Sequence, residues 1–380
     1  MKQVTPIISI LILILSFGSC HKDKITVKQQ TQIVMGSPVI DNTKATINSL
    51  ENLQNSGLEF GVYGYKTRET THDNNPSTFD FTRLFNNTPV GYSASSQSWT
   101  YNPIRYWDSN TSVTYQFFAY WPHVASSSAN GEPWVSEKTA VSHLNSTEGM
   151  GVIINDVPNY QDAADNDSRD FLTATQRGRY KSPDPENVPA IFGNRIVTFS
   201  FDHILAKLII QGYYVGEQSN HVKVHNLTLS GAGILAAGGT SDYTSTLASQ
   251  SFTDISKGTG QQVVSQVLYN NNQGCQILDN AFKENDNSTY TPTPVCEWLL
   301  VPTNGWSDLT LSVTYAIGTA QAQTNEVANI AIGTGENHIM EPGKTYILNL
   351  KFDTQGGIQL ETMWISQWID VTGSREIYNW

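Results

Sequence analysis

The sequence is poor in charged residues and in cysteine. Only 15% of its 380 residues are Asp, Glu, Lys or Arg, and only three are Cys. Lys and Arg number 22 against 34 Asp and Glu, so the net charge is −12 and the pI is near 5.0. No basic cluster interrupts this acidic balance, whereas a nucleic-acid-binding surface concentrates Lys and Arg on one face. We therefore expect no nucleic-acid partner.

The familiar catalytic and cofactor motifs are also missing. G-x-S-x-G, H-E-x-x-H and a P-loop do not occur. Gly231-x-Gly233-x-x-Ala236 resembles a dinucleotide-binding turn, but that turn must open a helix, and no amphipathic helix follows. The aspartates of DAADNDSRD lack the glycine and the distal glutamate of a calcium loop. We therefore predict that the protein has no catalytic residue, metal or cofactor and is not an enzyme. The alternative is an enzyme whose two catalytic carboxylates are distant in sequence and meet only in the folded chain.

Long apolar runs are absent except at the N-terminus. MKQVTPIISILILILSFGSC has one lysine, an apolar run over residues 7–15 and small residues before Cys20. The run is too short to span a bilayer, and its flanks are those of a secretory signal peptide. We predict residues 1–20 to be a lipoprotein signal, with Cys20 acylated (for instance by palmitate) after cleavage. Ordinary secretion with Cys20 discarded is the alternative.

Cys275 and Cys296 are the other two cysteines. In an oxidising compartment they form a candidate disulfide that closes a loop across a polar stretch. Two separate thiols fit the sequence equally well, because spacing alone does not fix disulfide geometry.

The rest of the chain has the pattern of β-strands. Short runs of alternating apolar residues are separated by Gly, Asn, Ser and Thr, which is typical of all-β proteins. The clearest runs are GLEFGVYGYK (57–66), NRIVTFSF (194–201), HVKVHNLTL (221–229), LTLSVTYAI (309–317) and KTYILNLKF (344–352). Such alternation predicts sheets with one buried and one solvated face. VTYQFFAYWP (113–122) has large apolar groups on both faces; we predict a strand covered on both sides, with Phe117 buried.

The chain is longer than one hydrophobic core usually serves, so two domains are expected. The proline-containing spacer KSPDPENVP precedes the strong strand at 194, and prolines are excluded from central strands. We place the boundary there, giving an N-terminal domain at 21–193 and a C-terminal domain at 194–380.

Four landmarks follow one another along the chain: TKATINSLENLQNSGLEFGVYGYK (43–66), WTYNPIRYWDSNTSVTYQFFAYWP (99–122), SRDFLTA (168–174) and VTFSFDHILAKLII (197–210). In this order they resemble the fimbrillin family, the lipoprotein pilins and adhesins of Bacteroidales-type bacteria. The resemblance implies two tandem transthyretin-like Greek-key β-sandwich domains. It also implies lipid anchoring at the outer membrane and export to the cell surface.

The same resemblance implies assembly by donor-strand exchange, in which proteolysis removes an N-terminal plug strand and a neighbouring subunit replaces it. The plug would be TQIVMGSPVI (31–40), with Ile33, Met35 and Val39 as plug residues. The cut would fall between Lys44 and Ala45. The family more often has Arg before the cut, so an Arg-specific protease would not process this chain.

The donor strand would come from the C-terminal segment ETMWISQWIDVTGSREIYNW. Its candidate donor residues are Trp364, Trp368, Ile369 and Val371. An ordinary last strand of the second sandwich is an equally good interpretation of this segment.

Two functions are therefore predicted. The first is a fimbrial subunit or adhesin whose partners are other subunits, joined by strand addition, and host or bacterial surface glycans or proteins. The alternative is a lipid-anchored carbohydrate-binding protein that does not polymerise and uses exposed aromatics such as Trp99, Trp134 or Trp306.

Overall fold

The structure is a computed structural model. It describes residues 31–40, 50–70, 78–108, 113–125, 133–138, 151–163, 170–175, 180–181, 196–215, 221–231, 239–246, 249–257, 265–277, 291–303, 306–353 and 357–367.

Within these residues the fold is almost entirely β. The one described helix, α1, spans Leu50–Asn55, inside a segment where the sequence allows a turn or two of helix. Leu53 of this helix is buried, and Gly57 beyond it has a φ of 66°, a left-handed conformation with which glycine commonly ends helices. The prediction of an all-β sandwich protein is confirmed.

The strands up to residue 203 are Val34–Met35 (β1), Val39–Ile40 (β2), Phe60–Thr70 (β3), Thr78–Ser93 (β4), Ser98–Thr100 (β5), Val113–Trp121 (β6), Val135–Lys138 (β7), Gly151–Pro158 (β8), Tyr160–Asp162 (β9), Leu172–Thr175 (β10), Tyr180–Lys181 (β11), Ile196–Val197 (β12) and Ser200–His203 (β13). The later strands are Ala206–Val215 (β14), Val222–Ser230 (β15), Thr240–Thr246 (β16), Gln250–Lys257 (β17), Ser265–Gln276 (β18), Thr293–Leu300 (β19), Leu309–Ile317 (β20), Gln323–Ile330 (β21), Lys344–Asp353 (β22) and Ile358–Gln367 (β23).

In the described part of the chain these strands form four sheets. Sheet A has the order β12-β1-β5-β4-β3-β6-β10-β13-β2, with β11 also paired to β6. Sheet B has the order β17-β16-β8-β7, sheet C the order β23-β22-β14-β19-β9, and sheet D the order β18-β15-β20-β21.

Three apolar cores lie between or within these sheets. The first lies within sheet A, where the strands at both ends of the sheet pack over its centre: the Phe60 ring is 5.7 Å from Phe199 and 5.6 Å from Phe201. The second lies between the other face of β3 and β6 and sheet B. The third lies between sheets C and D, where Tyr346, Leu348 and Leu350 of β22 point inward as their alternation predicts.

Strand β6 separates the first two cores. Residues 113, 115, 117, 119 and 121 belong to the core within sheet A. Phe118 and Tyr120 point the other way, into the core with sheet B. The prediction that this strand is covered on both faces, with Phe117 buried, is confirmed.

Strand pairings cross residue 193 in both directions. Strands β12 and β13 belong to sheet A, and β9 pairs with β19 of sheet C. Sheet B combines β7 and β8 with β16 and β17, so that Ile154 lies opposite Tyr243. Each half of the chain therefore supplies strands to the other, and the division at residue 193 stays a prediction.

Two glycines in β3 make room for the aromatic rings of neighbouring strands. A Cβ atom on Gly61 would lie 2.3 Å from Cε1 of Tyr120, and one on Gly64 would lie 2.6 Å from Cδ2 of Phe85. Gly61 is paired with Tyr120 and Gly64 with Phe117. The glycines of EFGVYGYK therefore allow the large side chains of YQFFAYW to lie flat on the sheet.

We expect Gly61→Ala to lower the free energy of unfolding by about 1–3 kcal/mol, because the new methyl group must displace the buried Tyr120 ring. Urea denaturation would measure the loss. Gly91→Ala in strand β4 is the matched control, since its Cβ would meet only the flexible Glu59 side chain at 3.3 Å. Equal effects of the two substitutions would contradict this account of Gly61.

Candidate strand-exchange site

The segment Thr31–Ile40 lies as an inserted strand between two other parts of the chain. On one side, the Ile33 amide donates to the Arg105 carbonyl at 2.9 Å and the Trp107 amide donates to the Thr31 carbonyl at 2.9 Å. On the other side, β1 runs parallel to β12, and the Gly36 amide donates to the Val197 carbonyl at 2.8 Å. The segment therefore forms main-chain hydrogen bonds with both neighbours.

The second half of the segment continues the pairing with the same partner region. Strand β2 runs parallel to β13, with Val39 opposite Ser200, and the Val39 amide donates to the Phe199 carbonyl at 2.7 Å. Residues 196–201 thus accompany the segment along most of its length. We name Thr31–Ile40 the inserted strand.

Two side chains anchor the inserted strand in the core of sheet A. Ile33 is 0% exposed and Met35 is 3% exposed. Met35 lies opposite Trp99, whose ring is 5.3 Å from Phe60. Val39 is 50% exposed. Of the three predicted plug residues, the structure therefore brings two into the core and leaves one at the surface.

The hydroxyl group of Tyr101 holds the inserted strand in register with its neighbours. The Tyr101 hydroxyl donates to the Ile33 carbonyl at 2.5 Å. Burial raises the pKa of the Tyr101 phenol, and its hydrogen bonds act in the opposite direction. Tyr101 therefore stays protonated and able to donate at neutral pH. It belongs to a predicted landmark, but the sequence did not single it out.

The position of Gly36 is the tightest part of the inserted strand. A Cβ atom there would lie 2.5 Å from Cγ2 of Ile196 and 2.7 Å from Oγ1 of Thr198. A larger residue at this point requires both side chains to move. The inserted strand thus presents two buried apolar side chains two residues apart, followed directly by a position where only a minimal side chain fits without movement of its neighbours.

The outer face of the inserted strand carries an apolar patch. Val34 is 40% exposed and lies beside Ile196, which is 39% exposed. Tyr106, at 46% exposed, lies opposite Gln32.

Several predicted site residues lie outside the described residues. They are Cys20, Lys44, Ala45, Trp368, Ile369 and Val371. The backbone of Trp364 is in β23, opposite Ile347 of β22. The first part of the predicted donor segment is thus paired within sheet C, and the donor role of the segment stays a prediction.

The aromatics named for glycan binding are mostly enclosed. Trp99 is 5% exposed and Trp306 is 0% exposed, and Trp134 is intermediate. The Trp306 indole donates to Oγ1 of Thr303 at 2.7 Å. A sugar platform needs an accessible ring face, so Trp99 and Trp306 do not serve that purpose.

Sequence reasoning missed two buried side-chain contacts, each of which involves at least one landmark residue. His203 Nδ1 is 2.8 Å from Oδ1 of Asp170, which joins the FDHILAK and SRDFLTA landmarks. Nζ of Lys207 is 2.5 Å from Oε1 of Glu297. The only signal for the first was that each of the two landmarks carries ionisable residues, Arg169 and Asp170 in one and Asp202, His203 and Lys207 in the other, among apolar ones.

In the residues that the structure describes, no three or more His, Cys, Asp and Glu side chains are grouped to hold a metal ion. Asp162 is paired in β9 with Trp298, and Asp170 contacts His203. Across the same residues, no helix has the length and apolar character needed to span a bilayer.

Comparison with known proteins identifies the protein family that the chain resembles. The family described as fimbrillin-like matches residues 43–368. A fimbrial protein from Bacteroides vulgatus ATCC 8482 has a similar fold, with a TM-score of 0.57 and 16% identity over 89% of this chain and 100% of that chain. The tip fimbrial protein Mfa3 from Porphyromonas gingivalis, with a C-terminal truncation, matches at 10% identity with a TM-score of 0.34, over 90% of this chain and 100% of that one. No curated protein matches the chain.

Because the family match covers most of its length, the chain belongs to the fimbrillin-like family. The family resemblance carried by the four landmarks is thereby confirmed.

Proposed function

We propose that the protein is a structural subunit or adhesin of a surface fimbria and that the inserted strand is a removable plug. The observation that carries the proposal is the pairing of residues 31–35 with 99–107 on one side and of residues 34–39 with 196–200 on the other, with Ile33 and Met35 in the core. Membership of the fimbrillin-like family supports it. Removing this strand would expose main-chain groups of residues 105–107 and 197–199 together with an apolar groove, which is the surface that β-strand addition requires.

Cleavage alone is not expected to release the plug. Burying an aliphatic side chain contributes about 1.5–3 kcal/mol, so Ile33 and Met35 hold the strand after its covalent connection is cut. The main-chain hydrogen bonds on both sides add to this. A neighbouring subunit's strand would therefore displace the plug rather than enter an empty groove.

The pairing directions set the orientation of the incoming strand. It must run parallel to β12 and β13 and antiparallel to β5, as the inserted strand does. It must also present two apolar side chains at the positions of Ile33 and Met35. The C-terminal segment offers Ile369 and Val371 at that spacing, and we propose it as the donor. Thr372 would then take the position of Gly36, so the side chains of Ile196 and Thr198 must move to admit it.

The proposed cut also has a consequence for anchoring. We propose that Cys20 is lipidated and holds the newly exported chain at the outer membrane. A cut between Lys44 and Ala45 breaks the covalent link between Cys20 and the folded body, and displacement of the plug then separates the two. A cut subunit would then remain at the cell surface only through its neighbours in the fimbria, and an uncut subunit would remain attached by lipid.

The proposal is tested by mild lysine-specific proteolysis of the full chain. We expect cleavage at Lys44 to be followed by ladders of SDS-resistant oligomers, because each inserted donor strand is held by many cooperative main-chain hydrogen bonds. Lys44→Gln should prevent the ladders. Lys28→Gln is the matched control, since it removes another lysine of the same segment and should leave them intact.

Replacing both anchoring side chains, in Ile33→Ser/Met35→Ser, should speed ladder formation after the cut, because the weakened plug is easier to displace. If the cut chain loses residues 31–40 and remains monomeric, the proposal fails. Binding of that monomer to a glycan array would favour the carbohydrate-binding alternative, for which the enclosed Trp99 and Trp306 offer no support.

A further inference from the structure

The two cysteines of the folded chain lie on the two layers of one sandwich. Cys275 is near the end of β18, an outermost strand of sheet D, and Cys296 is in β19 of sheet C. Cys275 is paired with Val224 and Cys296 with Ile210. Val224 and Ile210 are fully buried in the core between these sheets, and both cysteines pack against that same core. Each thiol therefore borders the space between the two layers.

Direct contacts bring the two cysteines to the same edge of this sandwich. The Cys275 thiol donates to the Pro294 carbonyl, with its sulfur 3.6 Å from the oxygen, and Pro294 lies two residues before Cys296. Tyr269 of β18 is near both. Burial raises the pKa of the Tyr269 phenol, and the negative charge of either thiolate raises it further.

We infer that Cys275 and Cys296 form a disulfide that joins sheets C and D at this edge. Both residues are free thiols in the structure, so the structure describes the reduced state. The inference is independent of strand exchange, because neither cysteine lies in or beside the inserted strand.

The oxidant would be a disulfide, R–S–S–R, of a small molecule or of a dithiol oxidase in the export compartment. The Cys275 thiolate attacks one sulfur of the oxidant, the S–S bond breaks, and one R–S⁻ leaves and takes up a proton. The Cys296 thiolate then attacks the Cys275 sulfur and displaces the second R–S⁻. Two protein thiols are oxidised and one R–S–S–R is reduced to two R–SH.

The environments of the two thiols set this order. Cys275 lies near the end of β18, an outermost strand of sheet D, whereas Cys296 lies in β19, an inner strand of sheet C, so we expect Cys275 to meet the oxidant first. Burial raises the pKa of the Cys296 thiol above its usual value, and the nearby Asp162 carboxylate adds to the rise. Because the thiolate is the attacking species, closure by Cys296 should be the slow step and should accelerate as the pH rises from 7 to 9.

The experiment uses the full chain carrying Cys20→Ala, so that Cys275 and Cys296 are its only thiols. The folded, reduced protein is incubated with oxidised glutathione, and intact mass and peptide mapping follow the products. We expect a transient glutathione adduct on Cys275 and then loss of two hydrogens, with the Cys275 and Cys296 peptides joined. Two stable glutathione adducts, an intermolecular dimer or two unreacted thiols would each overturn the inference.

Single variants separate the two steps. Cys296→Ser should retain a stable glutathione adduct on Cys275, and Cys275→Ser should form an adduct on Cys296 more slowly than Cys296→Ser forms one on Cys275. Equal or faster adduct formation on Cys296 in folded Cys275→Ser would contradict the proposed order. The oxidised wild-type chain should melt about 5–10 °C above the reduced chain, because the bridge restricts the unfolded state. If the bridged and the reduced chains melted at the same temperature, strain in the native disulfide would be cancelling its effect on the unfolded state. That result would contradict the inference that the folded chain positions Cys275 and Cys296 for a disulfide.

Discussion

Phe117→Ala is expected to lower the free energy of unfolding by about 3–5 kcal/mol. Phe117 is 0% exposed in the core of sheet A. Its ring is 5.9 Å from Phe85, 6.1 Å from Trp107 and 6.2 Å from Tyr115, measured between centroids. These rings are rigid and held by their own neighbours, so they cannot collapse into the space left by the missing ring. The loss therefore includes a cavity as well as the lost burial.

Equilibrium denaturation in urea would measure this loss. Tyr106→Ala is the matched control, because it truncates an aromatic side chain that is 46% exposed, and surface truncations usually change stability by about 0.5 kcal/mol or less. Phe117→Leu should lie between the two. A Phe117→Ala chain as stable as the control would show that the core of sheet A is not closed around this ring.

Lys207→Met is expected to lower the free energy of unfolding by about 3 kcal/mol, in the range for breaking a buried ion pair. The Lys207 side chain is 2% exposed and that of Glu297 is 19% exposed. The two residues lie diagonally across the β14–β19 pair, since Lys207 is opposite Leu299 and Ile209 is opposite Glu297. Removing the lysine leaves the Glu297 carboxylate largely enclosed without this cation.

Two further variants identify the cause of that loss. The double variant Lys207→Met/Glu297→Met should recover most of the stability, because replacing both members of a buried pair by apolar groups is often close to neutral. Lys66→Met is the matched control: its pair with Asp108, at 3.0 Å, is 32% and 30% exposed, and such pairs contribute about 1 kcal/mol or less. A double variant no better than Lys207→Met would assign the loss to packing of the lysine stem.

The sequence was sufficient to predict most strands and their buried faces. In β22, Tyr346, Leu348 and Leu350 alternate with Thr345 and Ile347, and the pleat of a strand directs the first three into the core between sheets C and D as predicted. The other face was predicted to be solvated, but Thr345 on it is 0% exposed. The same rule applied to β6 predicted burial on both faces. These are local consequences of backbone geometry, so they need no knowledge of the rest of the chain.

The alternation of buried and exposed side chains breaks down within the inserted strand. Strict alternation from Ile33 and Met35 would bring Val39 into the core, but the chain changes phase across Gly36, Ser37 and Pro38. Pro38 is buried and Val39 is at the surface. Proline fixes its own φ and has no amide hydrogen, and glycine permits the close approach to Ile196. Such a break depends on the partner strand, which alternation alone does not specify.

The local sequence pattern also did not predict where some side chains and strands lie in the folded protein. Trp306 follows an Asn-Gly pair and was predicted to be an exposed aromatic, yet its ring closes one end of the core between sheets C and D. The pairing of β8 with β16, and of β1 with β12, joins segments far apart in sequence. Side-chain alternation tells which face of a strand is buried but not which other strand lies beside it.

Sheet B combines strands from distant parts of the chain, so these strands do not all become available for pairing at the same time. Synthesis from the N-terminus produces β7 and β8 well before β16 and β17, the strands that extend the same sheet. During that interval one edge of β8 has open hydrogen-bonding groups, and the core against β6 lacks Tyr243. Open edges of this kind recruit wrong partners, and pairings between distant segments form slowly. Premature termination before Thr246 would leave that edge permanently open.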